Sequence, residues 1–419
     1  VPSLLQVAAA MRLAGKLDYA ALQRAVVDTM QRHDALRTRI VVHEGTPMQF
    51  IAAAGDCELP VADLTQASED AREQQLLQRI EQFIMMPVGM DSESLVGWRL
   101  FKLADDAHAL LVGMHHIISD NASLSIVLRD VFDLYEQAVS GKARVLPPIE
   151  MQFHEFASRQ AQWHPEWLSR HGQYWSERLA GARRLRFPED DAPPAGSGTG
   201  WAMVPIDLGS ELKERLRDWC RERRTTLAMS VLSMYTALVM RWCDVSDGVV
   251  QFQSDGRNAP EIENTVGFFA SVLYLRVHVS PDTAFADLLG QMMNEYYRAS
   301  EHADESYLAA QSPRPDYARS TTFNWVPQGA ERMRSIGTGR DRLDCSTLEF
   351  EHPMLGQVNM DQEPGVIFFE TPADLTGGVY FQKDRHSVQT MQRFAQALLL
   401  FVDAIMREPD IRLASIPLP

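Results

Sequence analysis

Cysteine is scarce in this 419-residue chain, and basic residues are outnumbered by acidic ones. The 4 cysteines are far apart, no two of them form a CxxC pair, and the histidines lack zinc-finger spacing. This pattern argues against a metal site and predicts reduced thiols, as in a cytoplasmic protein. The 40 Lys and Arg face 56 Asp and Glu, which gives a formal net charge of −16. Because nucleic-acid binders need a basic face, this balance disfavours a nucleic-acid partner.

Long apolar runs are also missing. The most apolar helix candidate, residues 227–242, contains Ser230, Ser233, Thr236 and Arg241. It is shorter than the ~20 residues that a membrane span needs. A positively charged leader followed by an apolar stretch is absent as well. We therefore expect a buried helix at 227–242, a cytoplasmic protein and no membrane partner.

Apolar residues follow the periods of alternating strands and helices in both halves of the chain. A stretch rich in Pro, Gly and acidic residues, 188–200, separates the halves. We predict an α/β fold, an α+β sandwich with an N-terminal lobe at 1–180, a linker at 181–200 and a C-terminal lobe at 201–419. A cleft between two lobes is a natural place for a ligand.

The local patterns predict individual elements. Strands are expected at 7–13, 95–103, 107–115, 201–208, 248–253 and 268–279, and a hairpin at 39–42 with 48–52. Helices are expected at 74–85, after residue 120, and at 211–223, 227–242 and 285–298.

The sharpest chemical signal is His115-His116-Ile-Ile-Ser-Asp120, placed between a predicted strand and a predicted helix. Adjacent side chains of a strand point to opposite faces, so only one of the two histidines can face a given cleft. A neutral imidazole can accept a proton from an attacking amine or hydroxyl, or position that group. Asp120 is expected to hold the loop through an ion pair with an arginine. The alternative is a pair of core histidines and an aspartate that only caps the helix.

This segment resembles the HHxxxDG motif of the condensation domains of nonribosomal peptide synthetases, which belong to the chloramphenicol-acetyltransferase-like superfamily. Other stretches resemble motifs of the same family in the expected order, so the resemblance covers almost the whole chain. They are the RHExLRT-like segment 32–38, the segment 174–181, the GRxxPE-like turn 256–261, the IGxFxNTLxLR-like segment 266–276, and weaker matches at 302–304 and 408–417.

The resemblance implies two acetyltransferase-like lobes in a V-shaped pseudo-dimer with a central tunnel. His116 would then be the catalytic or substrate-positioning residue, and His115 would be structural. Asp120 would pair with Arg257 and keep loops of the two lobes in register. The resemblance implies no intrinsic cofactor, because the acyl donor arrives on the phosphopantetheine arm of a carrier protein. The acceptor is either bound to a second carrier protein or a free small molecule.

Four further residues are candidates for contacts with substrate or with an oxyanion. Asn121 and Ser123 lie at a predicted helix N-terminus, where backbone N–H groups can bind negative charge; for Ser123 a plain helix cap is the alternative. Asn121 stands where the family motif has Gly, and asparagine tolerates the positive φ that glycine supplies. Asn324 corresponds to the acceptor side in the family, and Ser271 stands where the family commonly has Asn.

The resemblance implies an acyltransferase of secondary metabolism, such as antibiotic biosynthesis, that transfers an acyl or peptidyl group to an amine or a hydroxyl. An ester-forming, free-standing condensation enzyme with a free acceptor is the alternative within the family. Epimerisation on the same scaffold and a non-catalytic recruiting module are alternatives of other classes. The presence of both His116 and Asp120 argues against the recruiting module.

Overall fold

The protein is described by a computed structural model in which two compact units each contain one six-stranded sheet. Unit 1 comprises Val1–Gln162, Arg257–Ala270 and Gln328–Met354, and unit 2 comprises Trp163–Gly256, Ser271–Pro327 and Leu355–Pro419. The residues that the structure describes are 6–53, 55, 57–86, 88, 92–190, 200–303, 315–327, 333–350, 361–372 and 374–419.

Strands and helices alternate along the chain, as the apolar periods predict. The elements of the first part are β1 Gln6–Gly15, α1 Tyr19–Arg32, β2 Thr38–His43, β3 Thr46–Ile51, β4 Val61–Asp63, α2 Glu69–Met85, β5 Val96–Ala104, β6 Ala107–His115, α3 Asn121–Ser140 and α4 Phe153–Arg178. Those of the second part are β7 Trp201–Asp207, α5 Gly209–Glu222, α6 Leu227–Trp242, β8 Asp247–Ser254, β9 Ser271–His278, α7 Phe285–Glu301, β10 Thr322–Pro327, β11 Met333–Ile336, β12 Leu343–Leu348, β13 Gly365–Glu370, β14 Leu375–Gln382 and α8 Val388–Arg407.

The sheet of unit 1 has the strand order β11-β12-β1-β6-β5-β4. β1 pairs antiparallel with β6 on one side and with β12 on the other. Successive residues of β1 face opposite sides of the sheet. Met11 packs in the cluster that contains the apolar stripes of α1 and α3, whereas Ala10 packs in the cluster that contains α2. The unit therefore buries both faces of its sheet, and a short loop after β6 leads into α3.

The sheet of unit 2 has the strand order β7-β14-β13-β10-β8-β9, in which β10 runs parallel to β8 and β13. The helix predicted at 227–242 is present as α6, and its residues from Leu227 to Met240, apart from half-buried Ala228, are buried. It packs in one apolar cluster with α7 and α8. No helix in the described part of the chain is long and apolar enough to cross a membrane.

The division into units differs from the predicted lobes 1–180 and 201–419. Residues 163–180 belong to unit 2, whereas Arg257–Ala270 and Gln328–Met354 return to unit 1. The return of the second segment has a clear cause, because β12 supplies the hydrogen-bonding partner for one edge of β1. The V-shaped arrangement and the tunnel stay predictions.

The predicted linker 181–200 is wrong in its first part. Leu185 and Phe187 are buried in the core of unit 2. The Leu185 N–H donates to Ser320 Oγ at 3.0 Å, and the Phe187 N–H donates to Glu363 Oε2 at 3.1 Å. Burial of these two alternating apolar side chains is energetically favourable. The segment therefore packs on unit 2 and is not a solvent-exposed connection. Residues 191–199 of the predicted linker lie outside the described residues.

The strand predicted at 268–279 begins later, at Ser271. The backbone N–H groups of Gly267 and Phe269 donate hydrogen bonds to side chains at the start of α3, at 3.0 Å each. Since a backbone N–H that bonds a side chain does not serve a strand ladder, the apolar run 266–269 is a docked loop.

Candidate functional site

The loop between β6 and α3 carries the histidine pair. His115 is the last residue of β6, and its N–H donates to the Leu95 carbonyl at 2.8 Å. The Ile118 N–H then donates back to the His115 carbonyl at 3.0 Å, which closes a turn. Asp120 follows as the N-cap of α3, in extended backbone conformation. The predicted order of strand, histidines, turn and capped helix is therefore present.

His116 is half-buried, and its ring is held by one hydrogen bond. Nδ1 lies 2.7 Å from the Ser119 carbonyl oxygen. Because a carbonyl oxygen only accepts, Nδ1 carries a proton, so in the neutral tautomer of the ring the lone pair is on Nε2. The ring of Phe268 contacts the imidazole edge to face, with the two centroids 4.9 Å apart. This arrangement leaves Nε2 as the ring nitrogen that can accept a proton.

His115 has a different environment. Its side chain is buried, and its Nδ1 accepts a hydrogen bond from the Ile117 N–H at 3.1 Å. Burial, together with the neighbouring His116, lowers the pKa of His115 below its usual range. The neutral ring and its hydrogen bond hold the backbone of the turn, which is the geometry of a structural residue.

Asp120 and Arg257 form a buried, two-pronged ion pair. Arg257 Nη1 donates to Asp120 Oδ2 at 2.8 Å, and Nη2 donates to Oδ1 at 3.0 Å. Their side chains are 3% and 4% exposed, respectively. The Phe269 N–H also donates to Asp120 Oδ2, at 3.0 Å. Such a pair is stable in a buried site only because each carboxylate oxygen has several donors. The ion pair predicted for Asp120 is present.

Both partners of this ion pair belong to unit 1. The pair was expected to join loops of two lobes, but Arg257 begins the segment Arg257–Ala270, which returns to the first unit. Arg257 Nη2 also donates to the Thr265 carbonyl at 3.0 Å, and the guanidinium lies over the Phe269 ring, 4.7 Å from its centroid. The pair therefore fastens the segment 257–270 to the start of α3.

Ser123 has the environment of a helix-capping residue, which is the alternative to its binding an oxyanion. Its side chain is buried, and its N–H donates to Asp120 Oδ1 at 2.8 Å. Its hydroxyl lies 2.8 Å from that same oxygen and 2.8 Å from the Gly267 carbonyl oxygen. The hydroxyl also accepts from Arg257 Nη2 and from the Gly267 N–H, at 3.0 Å each. With every polar group used internally, Ser123 is part of the capping cluster.

Asn121 is exposed and is the first residue of α3. Among the described residues, positive φ occurs outside glycine only at Glu44, Arg224 and Asp244. The expectation that position 121 needs the freedom of glycine is therefore wrong, because a helical position accepts any ordinary residue. A contact of Asn121 with substrate stays a prediction.

Ser271 and Asn324 lie in unit 2. Ser271 is the first residue of β9, and its buried hydroxyl has no hydrogen-bond partner in the described part of the chain. Asn324 is half-buried in β10, between Gln253 of β8 and Ile367 of β13. Roles for these two side chains in binding substrate stay predictions.

The sequence interpretation missed a second buried charge cluster on α3. Asp130 Oδ2 accepts from Arg32 Nε at 2.8 Å and lies 2.9 Å from His33 Nε2. Its other oxygen accepts from Arg129 Nε at 2.9 Å. Burial raises the pKa of Asp130, but the hydrogen bond to His33 and the nearby charges outweigh it, so the pKa lies below the usual range. Arg129 Nη1 also donates to Asn264 Oδ1 at 2.8 Å, which anchors the segment 257–270 a second time.

Phe268 and Thr265 were missed as well. The doublet of aromatic residues after Gly267 was a usable signal, since adjacent side chains of an extended segment point in opposite directions. The four cysteines all lie in described ranges, and none of them forms a disulfide there. Within those ranges no three His, Cys, Asp or Glu side chains form a group that could hold a metal ion.

Comparisons with known proteins show similarity along nearly the whole chain. The family model described as the condensation domain matches residues 2–419. The bassianolide nonribosomal cyclodepsipeptide synthetase of Beauveria bassiana is 29% identical over 420 residues, which are 98% of this chain and 13% of that protein. A protein of the linear gramicidin synthase of Brevibacillus parabrevis is 27% identical over 419 residues, 99% of this chain and 5% of that protein. The chain thus spans a small part of these relatives.

Solved structures share the fold. The SgcC5 protein from Streptomyces globisporus aligns with a TM-score of 0.77 at 24% identity, covering 98% of this chain and 94% of that one. The first condensation domain of the calcium-dependent antibiotic synthetase, in complex with a substrate analogue, aligns with a TM-score of 0.77 at 18% identity, covering 100% of this chain and 94% of that one. The X-domain from teicoplanin biosynthesis also gives a TM-score of 0.77, at 21% identity over 99% of this chain and 93% of that one.

Proposed function

Because this chain belongs to the condensation-domain family of nonribosomal peptide synthetases, we propose that it transfers an acyl or peptidyl group from a carrier-protein thioester to an amine or a hydroxyl. The observation that carries the proposal is the orientation of His116. Its Nδ1 is hydrogen-bonded to the Ser119 carbonyl, so Nε2 is the ring nitrogen left to act on a reaction partner. The acyl donor would arrive on the phosphopantetheine arm of the carrier protein, in the cytoplasm.

The proposed reaction needs one proton transfer in each direction. The nucleophile attacks the carbonyl carbon of the thioester, and His116 Nε2 takes the proton that the nucleophile loses. The carbon–sulfur bond then breaks, and the phosphopantetheine sulfur leaves as a thiol with the proton from the imidazolium. A new amide or ester and a free thiol are the products, and the imidazole is neutral again. A thioester is already activated, so the residue only has to position the nucleophile and carry its proton.

The Asp120–Arg257 pair would act as a positioning device. Its hydrogen bonds hold the first turn of α3 against the segment 257–270, at 2.8 and 3.0 Å. His116 lies four residues before Asp120, in the same turn. Loss of the pair would therefore loosen the imidazole without removing any group that touches the substrate.

Hydroxyl acceptors form a second candidate class. The relatives include a cyclodepsipeptide synthetase at 29% identity, which favours testing ester formation beside amide formation. The imidazole can take a proton from either nucleophile. The acceptor is proposed to be a small molecule, either free or bound to a second carrier protein.

The test is a product screen by mass spectrometry. Carrier proteins loaded with different acyl groups are mixed with the protein and with free or carrier-bound amines and hydroxyls. We expect an amide or ester product with at least one pair, and loss of that product in His116→Ala. His43→Ala is the matched control, because His43 is an exposed histidine of the β2–β3 hairpin. Equal product in wild type and His116→Ala, with both folded by circular dichroism, would contradict the assignment of His116.

A further inference from the structure

Two adjacent phenylalanines after Gly267 have opposite environments. Phe269 is buried, with its ring 5.1 Å from the Phe153 ring and 5.0 Å from the Phe156 ring. Phe268 is 39% exposed, and its ring lies 4.9 Å from the His116 imidazole. A single exposed apolar side chain is ordinary on a protein surface. What distinguishes Phe268 is that its open ring lies beside the proposed proton acceptor, where a bound substrate can contact it.

The backbone around Phe268 is fixed on both sides. The Gly267 N–H donates to Ser123 Oγ at 3.0 Å, and the Phe269 N–H donates to Asp120 Oδ2 at 3.0 Å. A Cβ atom at position 267 would lie 2.2 Å from the Phe153 ring, so only glycine allows this close approach. The main chain that carries Phe268 is thus attached directly to the first turn of α3.

His116 is attached to the same turn. Its Nδ1 donates to the Ser119 carbonyl, one residue before Asp120, at 2.7 Å. Phe268 and the imidazole are therefore both fixed relative to the first turn of α3. The angle of 73° between their rings is a favourable edge-to-face geometry. The ring covers one side of the imidazole, while part of its own surface stays open.

The chemistry of the proposed reaction brings substituents of the substrates to this distance. A nucleophile bound to Nε2 lies about 3 Å from that atom and about 3 Å from the carbon it attacks. The groups attached directly to the two reacting centres then lie within a few ångströms of the imidazole, and the Phe268 ring is 4.9 Å from the centre of the same imidazole. Sites for small molecules commonly combine such an aromatic wall with one well-placed polar atom.

We infer that Phe268 is a positioning and specificity-determining residue, which holds the His116 ring and limits the size of the substituent on the carbon next to the reacting centre. The inference rests on the proposed function. The substrates concerned are acyl thioesters and their amine or hydroxyl acceptors with branching at the adjacent carbon. Phe268 contacts the imidazole and excludes bulk, and it takes no part in proton transfer.

The contact between the rings can be tested without any substrate. The Cε1–H resonance of His116, assigned with His116→Gln, feels the ring current of Phe268. We expect this resonance to move in Phe268→Leu and to stay nearly unchanged in Phe268→Tyr. Phe50→Ala is the matched control, since Phe50 is another exposed phenylalanine of unit 1 and lies on β3. An unmoved His116 resonance in Phe268→Leu would overturn the positioning role.

The size limit is tested with the active substrate pair found by mass spectrometry. Acyl-pantetheine thioesters with straight and branched chains at the carbon next to the carbonyl are compared, and then acceptors with and without a branch. Since one methylene in an apolar site changes selectivity by roughly tenfold or more, Phe268→Ala should raise the branched-to-straight ratio of kcat/KM by about tenfold in at least one series. Phe50→Ala should leave both ratios unchanged. Unchanged ratios in Phe268→Ala would overturn the specificity role.

Failure of this inference can be told from failure of the proposed function. If wild type and His116→Ala give the same product yields, the role of His116 is wrong. If His116→Ala is inactive while Phe268→Ala keeps wild-type size ratios, only the role of Phe268 is wrong.

Discussion

At the scale of single residues, the proposed chemistry depends on which nitrogen of His116 carries the proton. The sequence identified the histidine and its neighbour, and it also predicted an ion pair for Asp120. It did not identify the Ser119 carbonyl, because a main-chain acceptor at 2.7 Å has no sequence pattern. The hydrogen bonds of Ser123 were not predicted for a similar reason. A serine three residues after an N-cap can be an exposed donor or a buried one, and only the return of the segment 257–270 decides between them.

The Asp120–Arg257 pair gives the first stability prediction. Asp120→Ala leaves the Arg257 guanidinium buried without its carboxylate, so the free energy of unfolding should fall by roughly 3–5 kcal/mol. Arg257→Lys should be harmful too, because lysine cannot make the two-pronged contact. Urea unfolding followed by fluorescence measures both effects.

The control is Arg412→Ala, which removes an exposed ion pair with Asp282. Its expected cost is under about 1 kcal/mol, because solvent screens such pairs. A similar small cost for Asp120→Ala would show that the buried pair does not hold the loop.

At the scale of elements, local periodicity located β6 and α6 at their observed bounds, because each has a strong apolar pattern with clear ends. It gave no place for β11 and β12. Leu343 and Cys345 alternate with polar residues as in a strand, but nothing local shows that their partner is β1. The packing of the first residues of the predicted linker was not predicted for the same reason, because their hydrogen-bond partners are distant in sequence.

The second stability prediction concerns Glu363, which holds the first part of the predicted linker through the Phe187 N–H. Glu363 is buried and binds Arg184 at 2.6 Å and Arg385 at 3.1 Å, besides accepting from the Phe187 N–H. Glu363→Ala should free that amide and leave the buried Arg184 with less compensation. We expect faster hydrogen exchange at Phe187 and a loss of roughly 3–5 kcal/mol in stability.

A matched control lies in the same segment. Glu189 also pairs with Arg385, but its side chain is 59% exposed. Glu189→Ala should change stability by less than about 1 kcal/mol and leave exchange at Phe187 unaltered. Equal exchange rates in Glu363→Ala and Glu189→Ala would refute the anchoring role of Glu363.

At the scale of the whole molecule, buried neutral histidines should make the fold sensitive to acid. Burial lowers the pKa of His33 and of His386 below the usual value of about 6.5. The folded state then binds fewer protons than the unfolded state, so stability rises with pH across this window. The contribution of these two histidines to the free energy of unfolding is fully present above pH about 6.5. It is lost as the pH drops toward their lowered pKa values in the folded state.

His386 allows a clean test, since neither of its buried ring nitrogens has a hydrogen-bond partner in the described part of the chain. The centroids of the Phe187 and His386 rings are 6.3 Å apart. The charged groups near His386 are Arg385, Glu363, Asp190 and Glu189. His386→Phe should flatten the dependence of urea stability on pH below about 6.5, whereas His43→Ala on the exposed hairpin should not. An unchanged slope in His386→Phe would contradict the assignment.

The contiguous lobe expected at 1–180 should not fold alone. Such a fragment lacks β12, which pairs with β1 from Ala10 to Gly15, and it lacks Arg257. Its sheet would end in an open edge, and Asp120 would have no cation. We expect aggregation in size-exclusion chromatography and no cooperative unfolding. A soluble monomer with a cooperative transition would contradict this expectation. The sequence suggested contiguous lobes because similar patterns recur in each half, but only pairing across the chain fixes the units.

The place of β1 between β6 and β12 also has a consequence for biosynthesis. On the ribosome, β1 is made before β6, which can pair with it early, whereas the residues of β12 emerge only after position 348 has been translated. At roughly 5–20 residues per second, the nascent chain keeps that side of β1 unpaired for on the order of tens of seconds. During that interval the chain presents a strand that other growing chains can capture, so chaperone supply during translation should govern the yield of this protein.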